Sequence, residues 1–327
     1  MNKHRQSSRL LIVIAAVSVS ALLLAPPTQA QYNGHNTLGD FGLMSGTQLG
    51  PGFYLAGLYY RYGVDEVLNR NGEQVTLAPE DPGELTVNAF VPLMYYISNF
   101  KILGANYGVM AAVPLANSRL EAPIFGIEQA TGVALSDIYL QPIYLGWHTK
   151  QADFTAGFGL FMPTGRYEPD ASDNVGLGMW SFEFSAGTTV YFDAKKSWNL
   201  ATTAFFETHT KKKDSDVKVG NILTLEGGLG KTFLEGAINI GVAYYAQWKI
   251  SRDQFGIDLP PAIEDRIGKH RRFGVGPDIT FPIATKKKLI ALINGRLMWE
   301  FGARTTTQGL TLAVTALFPI PSISIAD

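Results

Sequence analysis

The 327-residue chain contains no cysteine, which removes disulfide frameworks, zinc-thiolate centres and thiol nucleophiles together. An excess of charge of either sign is also missing. With 27 basic and 28 acidic side chains the formal net charge is -1. A nucleic-acid binder needs a basic stripe to neutralise phosphates, so no DNA or RNA partner is expected. Histidine is scarce, and His35, His148, His209 and His270 show no metal-ligand spacing along the chain. No metal and no cofactor is therefore expected. Past Gln31 no apolar run is long enough to cross a bilayer as a helix, so any residence in a membrane must be as a closed barrel. Composition does not shift along the chain, which favours one large β unit over two domains.

The strongest apolar run stands at the start. Lys3, Arg5 and Arg9 precede Leu10 to Ala25, and Pro26-Pro27-Thr28-Gln29-Ala30 follows. A positive region, a greasy core and a small-residue site in that order predict a signal peptide, residues 1–30, cut after Ala30. No cysteine follows the cut, so a lipoprotein is not expected.

What the chain has in abundance is two-residue alternation. Twelve stretches show it: Phe53 to Tyr62, Leu85 to Tyr96, Ile102 to Val113, Asp137 to Trp147, Phe154 to Met162, Met179 to Phe192, Trp198 to His209, Ile222 to Thr232, Gly236 to Trp248, Arg272 to Pro282, Leu289 to Phe301 and Gly309 to Phe318. Such a period means strands with one greasy and one wet face. The links after even strands are short, and most links after odd strands are long, notably 63–84, 114–136, 163–178 and 249–271. Short periplasmic turns and long outer loops are the pattern of an outer-membrane barrel. The expected fold is therefore all-β, a transmembrane antiparallel up-and-down β-barrel of 12 strands, with 14 if 68–77 or 319–325 pairs at an edge. An even count puts both termini in the periplasm. Residues 53–318 form the barrel, and 319–327 a C-terminal tail behind Phe318, where a barrel usually ends on its aromatic insertion signal.

Parity assigns the faces. Leu310, Leu312, Val314, Ala316 and Phe318 should meet lipid, and the tryptophans all fall at strand ends, as in an interfacial belt. By the same parity Trp147 alone turns inward. The inner set collects polar residues, from which Arg61, Glu183, Glu207, Glu226, Arg296 and Glu300 are the candidates for a selective lumen constriction. Bracing of the interior by the same charges is the plainer alternative. Many glycines, Gly57, Gly228 and Gly230 among them, share the inner parity and leave room for close backbone approach.

Residues 31–52 break the strand period and are rich in glycine. They form either a periplasmic tail or a lumen plug, in which case Phe41, Leu43 and Met44 would line the ligand path. Pro123 to Ile127, and Phe255, Ile257 and Leu259, give the outer loops apolar surface. Lys211-Lys212-Lys213 at another loop could meet lipopolysaccharide phosphates, although a solvated charge run explains them as well. A hydrolase at the rim would need His209 with Ser215 or Asp216, a weak constellation, and no catalytic residue is expected.

A series of short motifs adds a resemblance. Pro51-Gly52-Phe53-Tyr54, Asp137-Ile138-Tyr139-Leu140-Gln141-Pro142 leading to Gly146-Trp147, Phe161-Met162-Pro163-Thr164-Gly165-Arg166-Tyr167, Trp180-Ser181-Phe182-Glu183 and Leu229-Gly230-Lys231-Thr232 occur in order over nearly the whole mature chain. In these the chain resembles the "putative MetA-pathway of phenol degradation" family, close to its sphingosine-linked SphA branch. The resemblance implies an outer-membrane barrel linked with uptake of aromatic or other hydrophobic compounds. It brings no catalytic residues. Glu183 is the motif residue that is both charged and inward by parity.

The sequence thus leads to a non-enzymatic channel in the bacterial outer membrane for passive uptake of small hydrophobic or aromatic solutes, with membrane lipid and lipopolysaccharide as surroundings. A nonspecific small-solute porin and a non-conducting surface receptor or adhesion scaffold are the alternatives.

Overall fold

A computed structural model of the protein describes residues 32–75, 84–122, 127–169, 171, 173–234, 238–257, 268–285 and 288–320. The signal-peptide stretch, 123–126, Leu259 and the last seven residues lie outside them. The strands are β1 (Gly52–Leu68), β2 (Glu84–Ile102), β3 (Ala105–Ala112), β4 (Leu115–Ala122), β5 (Ile127–Ala130), β6 (Ala134–Leu135), β7 (Ile138–His148) and β8 (Ala152–Met162). They continue with β9 (Ser181–Tyr191), β10 (Trp198–His209), β11 (Ile222–Phe233), β12 (Ile238–Lys249), β13 (Arg271–Ala284), β14 (Leu289–Arg304) and β15 (Thr306–Ile320).

Antiparallel pairing runs β1-β2-β3-β7 and on through β15, which pairs with β1 and closes the ring. Twelve strands make the barrel, as the alternation predicts. The three others come from the second long link, while 76–77 and 321–325, parts of the two alternative edge strands, lie outside the described residues. There β4 takes over from β3 at Val113-Pro114 and pairs with the outer part of β2, Leu85 to Phe90, while β5 and β6 pair with β4. This flap extends the wall beyond the ring.

The turns at the opposite end are tight and locally built. In the turn of residues 192–197 the Asp193 carboxylate accepts from the amides of Lys195, Ser197 and Trp198 and from Ser197 Oγ. The Ser197 bonds, with the other amides, hold its carboxyl down at about 2. An aspartate that replaces missing backbone partners is a standard turn former.

Leu200, Leu229, Val242, Ile279, Val314 and Phe318 stand exposed on the outer surface at 38–52%. An apolar belt this broad is stable only against lipid, so the barrel spans the bacterial outer membrane. Two faces differ from the parity expectation. Arg61 is directly opposite Asn88 and Leu312 and shares their outward side with exposed Leu55 and Tyr59. It is no lumen residue, and Gly57 is on the same outer face. Both parities of β1 are largely apolar, so polarity could not say which one points inward. Trp147 also faces out, opposite exposed Phe154. The pairing of β7 shifts by one between Leu140 and Ile143, around Gln141-Pro142, and a bulge there reverses the parity beyond it.

Candidate functional site

The lumen has two unlike walls. On one side Leu58, Val91, Met110, Ala112, Tyr139 and Ala313 form a buried apolar cluster, with Tyr60, Leu93, Tyr95 and Phe161 packed against it. These residues come from β1, β2, β3, β7, β8 and β15. The other side, β9 to β14, carries Glu183, Glu207, Glu226, Asp278, Arg296 and Glu300, all under 9% exposed.

Carboxyl groups buried this deeply need hydrogen-bond partners. The donors come from residues 34–51, which run down the lumen as a strap turned at 38–40 and 43–46. Glu207 accepts from the amides of His35 (2.8 Å) and Asn36 (3.3 Å). Glu226 accepts from Gly39 (3.2 Å) and Phe41 (3.1 Å), and Asp278 from Leu43 (3.3 Å). Glu183 meets the Asn36 side chain at 3.4 Å and the Tyr139 hydroxyl at 2.7 Å. Arg296 ties the pieces together, donating to Asp278 Oδ2 and to the Gly39 carbonyl, each at 2.7 Å. Asn199 donates to the Leu43 carbonyl.

Close approach is secured by glycine on both partners. A Cβ at Gly46 would collide with the Thr188 backbone, and one at Gly228 would reach 2.7 Å from Leu43 Cδ2. At the periplasmic end Thr47 donates to Asp153 (3.1 Å) and Gln48 to the Tyr144 carbonyl (2.9 Å). At the outer end the His35 ring stacks on Phe161, centroids 4.7 Å apart. The described strap therefore begins level with the long loops and descends to β1, while both termini lie outside the described residues.

Of the six lumen candidates, Glu183, Glu207, Glu226 and Arg296 contact the strap. Glu300 instead braces the wall, accepting from Tyr62 and Tyr245 hydroxyls at 2.6 Å each and from the Gly309 amide at 2.8 Å. Arg61 lies outside. In the strap Leu43 is buried against Gly228 and Gly230, and Phe41 sits 4.9 Å from the Phe205 ring. Met44 is more open, at 38%. Sequence reasoning passed over Asn199 and Asp137, and left Asp278 out of the leading set; an inward polar residue opposite a glycine-rich segment was the available signal.

The outer end of the strap holds a chain of polar contacts. His35 Nε2 meets Asp137 Oδ2 at 2.8 Å, His35 Nδ1 meets Ser181 Oγ at 2.7 Å, and Ser181 Oγ meets His209 Nδ1 at 2.7 Å. Burial pushes His35 below its ordinary value against the pull of Asp137. Burial also pushes Asp137 up, but His35 and the Leu177 and Gly165 amides outweigh it and hold the carboxyl below its usual range. Although it stands beside two imidazoles, Ser181 is fully buried, out of reach of a substrate as a nucleophile. His209 does not join Ser215 or Asp216; Asp216 pairs with Lys211 at 2.8 Å. Lys212 points inward, its Nζ 2.7 Å from the Leu177 carbonyl, and burial brings its ammonium down to about 8.

No curated protein matches the chain by sequence. Among solved structures, the COG4313 outer membrane channel from Pseudomonas putida F1 is similar at 12% identity and TM-score 0.70, covering 88% of this chain and 100% of that one. More distant are the β domain of the Bordetella autotransporter BrkA (11% identity, TM-score 0.43, 83% and 100% covered) and a TodX monoaromatic hydrocarbon channel mutant (11%, 0.41, 84% and 91%). The first of these shares the barrel fold. The sequence itself matches, over residues 65–316 and so from β1 into β15, the model of the family described as "Putative MetA-pathway of phenol degradation", and the chain belongs to that family.

Proposed function

We propose that the protein is a gated outer-membrane channel for passive uptake of small hydrophobic or aromatic compounds, with the 34–51 strap as its gate. The observation that carries this reading is the division of the lumen. A lumen that only had to pass water and ions would gain nothing from lining a whole side with Leu58, Val91, Leu93 and Met110. An apolar wall gives a greasy solute a surface to follow, while the polar wall grips the strap and spends its charges there. Glu207, Glu226 and Asp278 hold the strap amides, Glu183 and Arg296 fix its turns, and Phe41, Leu43 and Met44 move with it. Family membership and the barrel shared with an outer membrane channel support the same reading.

At the outer rim Arg70, Arg252, Lys269, Arg271 and Arg304 line a cleft of about 450 Å³, which suits contact with the phosphates of lipopolysaccharide. Transport is tested by reconstituting the protein in liposomes and comparing influx of an uncharged aromatic solute with that of a sugar of similar size. Faster aromatic influx, lost when the apolar wall is made polar, is the expected result. Equal influx of both with steady high conductance in planar bilayers would make it a nonspecific porin. No influx of either would favour a surface scaffold.

A further inference from the structure

Three side chains, two from one strand and one from the strap, meet at the outer end of the strap. One nitrogen or oxygen each from His35, Glu207 and His209 lies within 4.8 Å of the other two. Glu207 and His209 are two apart on β10 and share its inner face, while His35 is delivered by the strap.

Hydrogen counting shows that the cluster is incomplete. His35 Nε2 faces the Asp137 carboxylate, so it carries the proton and leaves Nδ1 as a lone pair. Ser181 has one hydroxyl hydrogen and spends it on that lone pair. His209 Nδ1 must then donate to Ser181 Oγ, which strips the proton from His209 Nε2. That nitrogen is buried, on a residue 3% exposed, and has no partner among the described residues. A buried nitrogen without a partner is costly, and it marks His209 as a residue whose hydrogen bonds are not completed by the described residues alone.

We infer that His35, Glu207 and His209 form a binding site for a divalent transition metal such as Zn²⁺, which clamps the strap to the barrel wall. Two imidazoles and one carboxylate are a donor set that suits zinc, copper or nickel. Tetrahedral ligands stand about 3.3 Å apart around zinc, so the three side chains must draw together from separations of up to 4.8 Å, with Ser181 turning aside or supplying the fourth oxygen. Asp137 already occupies the place of the outer carboxylate that orients a ligating histidine. The nearby ammonium of Lys249 is matched by Asp253 at 2.8 Å and that of Lys212 leans on Asp137, so Glu207 supplies the charge that balances the ion. The clamp rests on the strap-gate reading, but the site does not, because binding is measured without transport.

The test uses the full mature chain in detergent, prepared without a histidine tag, stripped with chelator and titrated with Zn²⁺ by calorimetry, with bound zinc counted by mass spectrometry. One ion per chain is expected. His35→Ala and His209→Ala should each weaken binding by more than the about 10–100-fold loss expected for Asp137→Asn, and His148→Ala at the opposite rim should leave it unchanged. Heat-modifiable migration on gels reports whether each variant is a folded barrel. If a variant does not fold, X-ray absorption at the zinc edge of the wild-type complex should show two imidazoles on the metal. A folded wild-type barrel that binds no stoichiometric zinc, or binding that survives His35→Ala, overturns the inference.

Discussion

The two sides of the lumen solve opposite problems. The polar side buries carboxylates that need donors and finds them in a segment of the same chain, through contacts of 2.7–3.4 Å. The apolar side has little to satisfy, since Leu58, Val91 and Ala112 carry no side-chain donor or acceptor. One wall is therefore specific and closed, and the other is permissive. Most of the polar holding is done by one side, while Phe161 and the Tyr144 carbonyl of the other steady the strap at its two ends.

Removing the strap breaks this comparison most severely. Deletion of residues 34–50 should convert a quiet barrel into a steadily conducting one in planar bilayers, because the polar wall is then open to water. Placing a charge on the permissive side comes next. Leu58→Glu buries an unpaired carboxyl at a cost of several kcal/mol, on the order of 3 or more, and should nearly abolish aromatic influx while Leu58→Ala preserves it.

On the gripping side Glu226→Ala orphans the Gly39 and Phe41 amides. A loss of about 1.4–3 kcal/mol is expected, read as a 10- to 100-fold drop in hydrogen-exchange protection of the strap. Gly228→Val drives a side chain into Leu43 and should lower the same protection by about 1–3 kcal/mol, whereas Gly57→Val on the lipid face leaves it unchanged.

The smallest effect concerns Lys212. Its ammonium, held to about 8 by burial against 10.5 ordinarily, is disfavoured in the folded loops. Folded-state packing therefore gains as pH rises from about 8 toward 10.5, where only the unfolded form still holds the proton. Limited proteolysis of the 210–221 loop should slow over that range, and Lys212→Met should remove the dependence.

The same division explains what was legible in the sequence. Along β10 to β15 polar and apolar residues alternate, because lumen and lipid differ there, and Glu207, Glu226, Arg296 and Glu300 were placed on the correct face. Along β1 the lumen is as greasy as the membrane. Ala56, Leu58, Tyr60 and Tyr62 differ little from Leu55, Gly57 and Tyr59, and Arg61 tipped the assignment the wrong way. Trp147 was misplaced by a single extra residue at Gln141-Pro142, a shift that periodicity cannot register. The path of the strap was not readable at all. Its partners are 96 to 257 residues away, and its glycines answer to surfaces that exist only once the barrel has closed.

The wall grips the strap mainly by its peptide groups. His35, Asn36, Gly39, Phe41 and Leu43 each offer a main-chain N–H to a carboxylate, and every residue type except proline carries that group. The lock is consequently indifferent to most of the lettering on its key. Substitution can drift wherever a strap side chain makes no contact of its own, while a proline at Phe41 or Leu43 withdraws a donor that nothing else can replace.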